Sequence, residues 1–252
     1  METLLTGYLD SSWAGRIIVL AIIAGSIISW AVILFKIRQF RRSEKEMEKF
    51  QQLFEHLGGN LDALYEQTNQ SRNSPAGRLF QACYREIHHL APRESNMAVI
   101  RTEVIEGVER ASARSIAESE IILSRGLPVL TMTASISPLM GLLGTVWGIL
   151  EVFQSMDQST APSIKDIAPG ISAALVTTVF GLLAAMPAAG AYNIFLVRIN
   201  RMLSILENLA SMISNILVRH QLRQEMRSEG RREDSDDTPR TVPSPTRFSY
   251  KR

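Results

Sequence analysis

Three stretches of this chain contain no Asp, Glu, Lys or Arg: residues 17–35, 126–150 and 167–197, about 19, 25 and 31 residues long. Roughly 20 helical residues are enough to cross the hydrocarbon core of a bilayer. A helix in a soluble bundle keeps a charged, wet face. Three such gaps in 252 residues therefore exclude an ordinary soluble bundle and predict an all-α membrane protein with three transmembrane helices. The first stretch is long for the apolar core of a signal peptide. No basic residue precedes Arg16, and no small-x-small cleavage site follows, so it is expected to be retained.

The charges outside the gaps orient the spans. Residues 1–15 carry Glu2 and Asp10 and no Lys or Arg, whereas Lys36, Arg38, Arg41 and Arg42 follow the first span, and Arg198 and Arg201 follow the third. By the positive-inside rule the N-terminus is expected outside and the C-terminus in the cytoplasm. This gives an outer N-terminus at 1–15, spans at 16–37, 126–153 and 167–197, and an outer hairpin at 154–166. A cytoplasmic helical domain is expected at 38–125, a cytoplasmic helical extension at 198–227 and a disordered tail at 228–252, where Gly, Pro, Ser, Asp and Arg accumulate.

Within 38–125 basic and acidic residues balance. Gly58-Gly59-Asn60 and Asn69–Pro75 read as breaks, a helix begins near Gly77, and Pro92 interrupts again. Leu79, Phe80, Cys83, Tyr84 and Ile87 fall on one side of that helix, and Ile100, Val104, Val108 and Ala111 form a stripe on the next. Beyond Arg198, Ile199, Met202, Leu206, Leu209, Ile213 and Ile216 recur at spacings of three and four. That pattern predicts a helix packing on its own neck or on a neighbouring subunit.

Catalytic chemistry finds no foothold. Cys83 is the single cysteine, and the histidines at 56, 88, 89 and 220 all fall outside the charge-free stretches. Adjacent His88 and His89 point about 100° apart on a helix, a poor arrangement for joint ligation. No nucleophile–base set, metal cluster or nucleotide loop is present, so neither an enzyme, a cofactor, a metal nor a nucleic-acid partner is expected.

The second and third spans carry the informative chemistry. Pro138 lies inside the second and removes a backbone donor. Gly141, Gly144 and Gly148 follow, and Gly170, Ala174, Thr177 or Thr178, Gly181, Ala185 and Ala188 repeat at three or four residues in the third. Such small faces let helices approach closely. Ser172, Thr177 and Thr178 in the third span and Thr145 in the second add hydroxyls at membrane depth. Each hydroxyl can bond its own helix or line a polar path between assembled subunits. No titratable side chain lies deep in any span, so an acid for proton transfer must come from a partner.

Ser135-Ile-Ser-Pro138, Gly141-Leu-Leu-Gly-Thr-Val-Trp-Gly-Ile149, Ile167-Ala-Pro-Gly-Ile171, Gly181-Leu182, Ala184-Ala-Met-Pro-Ala188 and Tyr192-Asn193, with Ser29-Trp-Ala-Val-Ile33 in the first span, resemble the TolQ/ExbB/MotA proton-channel family over roughly residues 10–215. The TolQ branch is the nearest. The resemblance implies a homopentamer in a bacterial inner membrane, among lipid, enclosing the helices of a TolR/ExbD-like single-span protein that supplies an essential Asp. Proton-motive force would drive relative rotation, and a TolA/TonB-like protein would carry the work to the envelope during division. It also implies that Thr145 and Thr178 face the pore near that Asp, with Thr177 and Ser172 beside them. Alternatives are an ExbB-type subunit powering TonB-dependent uptake and a non-conducting scaffold. The chain departs from the family at Ala173, where a glutamate is common, and at Thr177, where a smaller residue is usual.

Overall fold

The computed structural model describes residues 13–57, 61–68, 74–90, 97–156 and 164–236. Among them every regular element is a helix: α1 Trp13–His56, α2 Leu61–Thr68, α3 Pro75–Leu90, α4 Met97–Ser124, α5 Leu127–Met156 and α6 Ile164–Asp236. Residues 1–12, 157–163 and 237–252, which hold most of the expected N-terminus, hairpin and tail, lie outside the described residues.

Two helices are far longer than a bilayer is thick. At a rise of about 1.5 Å per residue, the 44 residues of α1 extend about 66 Å and the 73 residues of α6 about 110 Å. Each therefore carries an apolar segment and, unbroken, a charged segment beyond it. Among the described residues, α1, α5 and α6 are the three helices long and apolar enough to cross a membrane. Helix α6 remains helical through residues 228–236, a stretch whose composition reads as the start of the tail.

Most of the main core lies outside the apolar segments, with Ile33, Leu127, Leu130 and Phe195 at their edges. Phe40, Met47, Phe50 and Phe54 of α1 pack with Leu64 of α2, Leu79, Phe80 and Cys83 of α3, Val108 and Leu123 of α4, and Met202, Leu206, Leu209 and Ile213 of α6. The stripe after Arg198 thus closes on its own chain. Phe40 stacks on Phe195 at 5.4 Å, a contact that joins α1 to α6 where their charged segments begin.

Helix α3 starts at Pro75 rather than near Gly77 because Ser74 caps it. The Ser74 hydroxyl accepts the Gly77 N–H at 2.9 Å, and proline suits the first helical position, where no donor is needed. The buried side of α4 also differs from the expected apolar stripe. Val108 is followed by Ser112, Ser115, Ser119 and Leu123, all buried. Ser112 and Ser119 donate to Glu109 and Ser115 carbonyls of their own helix, so their hydroxyls are satisfied without a partner helix.

Around the apolar segments α5 and α6 pack closely on each other, and α1 adds a small cluster of its own. Ile18 and Ile22 of α1 meet Ala184 of α6, with Met140 of α5 and Phe180 of α6 against them. Outward, Ile17, Leu20, Ile27, Trp30, Phe35, Leu139, Val146, Phe153, Leu183 and Met186 are exposed. An apolar surface this extensive calls for lipid or further protein around it.

Candidate functional site

The antiparallel α5–α6 pair is built on small residues in register. A Cβ placed on Gly141 would lie 2.9 Å from the Thr178 Cα, and one on Gly181 would lie 3.1 Å from the Gly141 Cα. On Gly144 it would meet Thr177 Oγ1 at 2.5 Å, on Gly148 the Ala174 Cβ at 2.7 Å, and on Gly170 a Val152 methyl. Each step outward along α5 is matched by a step back along α6. The backbones touch where Gly141 meets Gly181, a separation that any larger residue forbids.

Pro138 lies inside α5, which continues through it. One residue earlier, the Ser137 carbonyl sits 2.5 Å from where a Gly181 Cβ would be. The proline-bearing turn is therefore pressed directly against the glycine of the facing helix.

This register sorts the neighbouring side chains onto two flanks. In an antiparallel pair of right-handed helices, residues that follow a contact residue turn to one side of the seam on both helices. Residues that precede a contact turn to the other side. Met140 precedes Gly141 and Phe180 precedes Gly181, and both pack on Ile18 and Ile22 of α1. Thr145 follows Gly144 and Thr178 follows Thr177, so both threonines lie on the flank away from α1. By the helical rise they are within about 2 Å of the same height. Leu142, Ile149, Ile171, Leu175 and Leu182 follow contact residues in the same way, and all are exposed. The flank away from α1 is thus a largely apolar open face on which the Thr145 and Thr178 hydroxyls stand near each other.

The three threonines bond differently. Thr145, 8% exposed, donates to the Leu142 carbonyl of its own helix at 2.7 Å. Half-buried Thr178 donates across the seam to the Gly141 carbonyl at 3.1 Å. Thr177 shares its single proton between the Ala174 carbonyl at 2.7 Å and the Gly141 carbonyl at 3.1 Å.

Thr177 and Ser172 stand differently from Thr145 and Thr178. Thr177 is 2% exposed and fills the seam against Gly144, a packing and bonding role that leaves it no free surface. Ser172 is exposed, but it stands two residues from Ala174, so it turns away from α5 and from Thr145. Ala173 precedes the contact residue Ala174, lies on the α1 side and is 3% exposed.

Two polar interactions were not anticipated from sequence. Glu151, the sole charged residue of α5, accepts the Trp147 indole N–H at 2.8 Å, a pairing whose spacing of four is readable in hindsight. Lys36 is 1% exposed and donates to the Leu123 carbonyl at 2.8 Å, a contact across 87 positions that no local pattern signals. Among the described residues no group of three or more His, Cys, Asp or Glu could hold a metal.

Chemically the open flank offers hydroxyls that accept and relay hydrogen bonds but do not ionise near neutral pH. Residues 71–208 match the MotA/TolQ/ExbB proton channel family. The chain is 34% identical over 191 residues to the Tol-Pal system protein TolQ of Pseudomonas aeruginosa, covering 75% of this chain and 81% of that one. It is 32% identical over 195 residues to the Tol-Pal system protein TolQ of Haemophilus influenzae, covering 77% and 84%. Against the biopolymer transport protein ExbB of Salmonella typhimurium the identity is 28% over 202 residues, covering 79% of each.

Proposed function

The chain belongs to the MotA/TolQ/ExbB proton channel family, and from that premise we propose that it is the inner-membrane subunit of a proton-driven Tol-type motor. Copies of the chain, five in the family's arrangement, surround the membrane helices of a single-span partner. The flank bearing Thr145 and Thr178 faces those helices, and the partner carries the acid that this chain lacks. Proton flow past the hydroxyl pair drives relative movement, and a third, envelope-spanning protein passes the work outward during division. The N-terminus lies in the periplasm and the main core with the C-terminus in the cytoplasm, in keeping with the basic residues after the first and third spans.

One observation carries this reading: two hydroxyls at one height on the only α5–α6 flank that α1 leaves open, set among exposed leucines and isoleucines. An apolar wall suits an apolar partner helix. Within such a wall a protonatable group would find hydrogen-bond partners at Thr145 and Thr178.

The test is proton flux and envelope work by Thr145→Ala and Thr178→Ala chains co-expressed with the partner. Both variants are expected to assemble and to lose most of the flux. Full-rate work by both would sink the reading, and work without any flux in the unmodified complex would leave a non-conducting scaffold. The relatives also favour a sister reading, an ExbB-type subunit energising outer-membrane uptake. Complementation separates the two: rescue of a strain lacking its Tol subunit supports the first, and rescue of iron-carrier uptake supports the second.

A further inference from the structure

Helices α1 and α6 run unbroken, but the line from α4 to α5 breaks at Arg125 and Gly126, where Gly126 takes φ 89°. Helix α4 ends there with carbonyls that have no partner within the helix, at the negative end of its dipole. One of them, Leu123, is taken by Lys36 of α1, whose ammonium donates to it at 2.8 Å and to Gln39 Oε1 at 2.9 Å, 5.6 Å above the Phe40 ring. Val32, one turn earlier on α1, abuts the same joint. A Cβ on Gly126 would lie 3.5 Å from Val32 Cγ1 and 3.8 Å from Lys36 Cε.

A lysine at the end of a membrane span ordinarily extends its charge to water and headgroups at little cost. Here it is folded inward and 1% exposed, a placement that must be compensated by the bonds it makes. Helix packing alone would be served as well by methionine. What the ammonium adds is a directional tie between an unbroken rod and the one break in the chain's other membrane-to-cytoplasm line.

We infer that Lys36 is a positioning residue that locks the α4–α5 joint to α1, so that α4 follows displacements of the membrane helices. The inference rests on the proposed motor function for its consequence in work, but not for its consequence in geometry.

Pulsed EPR on the full chain in lipid nanodiscs tests it. Spin labels replace the exposed Glu118 of α4 and Met132 of α5, and labelled chain is diluted with unlabelled chain. Unmodified and Lys36→Arg chains are expected to give one narrow distance distribution. Lys36→Met is expected to at least double its width and to lower envelope work tenfold or more while the complex still assembles. Gly126→Ala disturbs the same joint without touching the charge and is expected to broaden the distribution too, which covers a Lys36→Met chain that fails to insert. An unchanged width in both variants overturns the lock, and full work with a broadened distribution overturns the coupling. Thr145→Ala keeps these failures separate from failure of the motor reading, because it should lose work with a narrow distribution.

Discussion

The carbonyl of Gly141 accepts the Thr178 hydroxyl across the α5–α6 seam at 3.1 Å, and the neighbouring Thr177 hydroxyl reaches the same oxygen at 3.1 Å. Two adjacent threonines thus converge on one carbonyl, one from inside the seam and one from its edge. A glycine at 141 permits this, because a Cβ there would collide with the Thr178 backbone. Close approach and cross-helix bonding are therefore one structural feature.

One tight side-chain contact in that feature is separable by mutation. A Cβ on Gly144 would meet Thr177 Oγ1 at 2.5 Å and Thr177 Cβ at 2.8 Å. Gly144→Ala is expected to destabilise the folded chain by about 1–3 kcal/mol through overpacking. Paired with Thr177→Gly, which removes both of those atoms, it should cost well below the sum of the two single changes, a coupling readable as a double-mutant cycle from denaturant titrations in mixed micelles. Simple additivity of the two changes would refute the seam contact.

Gly181 faces backbone instead, the Ser137 carbonyl lying 2.5 Å from its would-be Cβ. No side chain can be trimmed to relieve Gly181→Ala, so its cost should reach at least the upper end of about 1–3 kcal/mol. Thr177→Gly should not rescue it. Cross-linking yields between cysteines placed on α5 and α6 would reveal the separation of the pair, and an unaltered yield would contradict the register.

Isosteric removal of the hydroxyls distinguishes Thr177 from Thr178. Thr177→Val alone leaves the Gly141 carbonyl bonded by Thr178, so the expected stability loss is about 0.6 kcal/mol, typical of hydrogen bonds between membrane helices. Thr177→Val with Thr178→Val leaves that oxygen without either hydroxyl and should cost more than the sum of the single changes. For proton flux the order is reversed, since Thr178 stands on the open flank. A larger flux defect in Thr177→Val than in Thr178→Val would argue against that flank as the pathway.

Cys83 supplies a prediction in pH. It is 0% exposed, and burial pushes its thiol from about 9 up to about 12, opposed by a backbone hydrogen bond and reinforced by the charge of Glu86. Thiolate is the reactive form, so the folded chain should react with maleimide about a thousandfold more slowly than the unfolded chain near neutral pH. Because the folded chain prefers the neutral thiol, this group's contribution to stability is full below about pH 9. It declines as the unfolded thiol ionises and is lost as pH rises towards 12. Equal alkylation rates in folded and denatured chain would place Cys83 outside the core.

The number and order of the membrane-type helices were legible in the sequence, because bilayer thickness converts charge-free length into a one-dimensional signal. So was the closing stripe from Ile199 to Ile213, which repeats at helical spacing. The small faces of α5 and α6 were equally plain, since glycine and alanine at intervals of three and four stand out in apolar helices. Tertiary structure alone decided what those faces do. Thr177 and Thr178 are neighbours with the same side chain, yet one fills the seam and the other edges an open flank, because a step of 100° is resolved only by the register of the facing helix. Serines took the buried side of α4, where hydrophobic periodicity could not register them. Lys36 looked like a charge at a span's end until folding brought Leu123 beside it. The sequence specifies the apolar lengths that a bilayer demands. Which side chains meet depends on how the helices rotate and align against one another, and distances of that kind are not local to any stretch of chain.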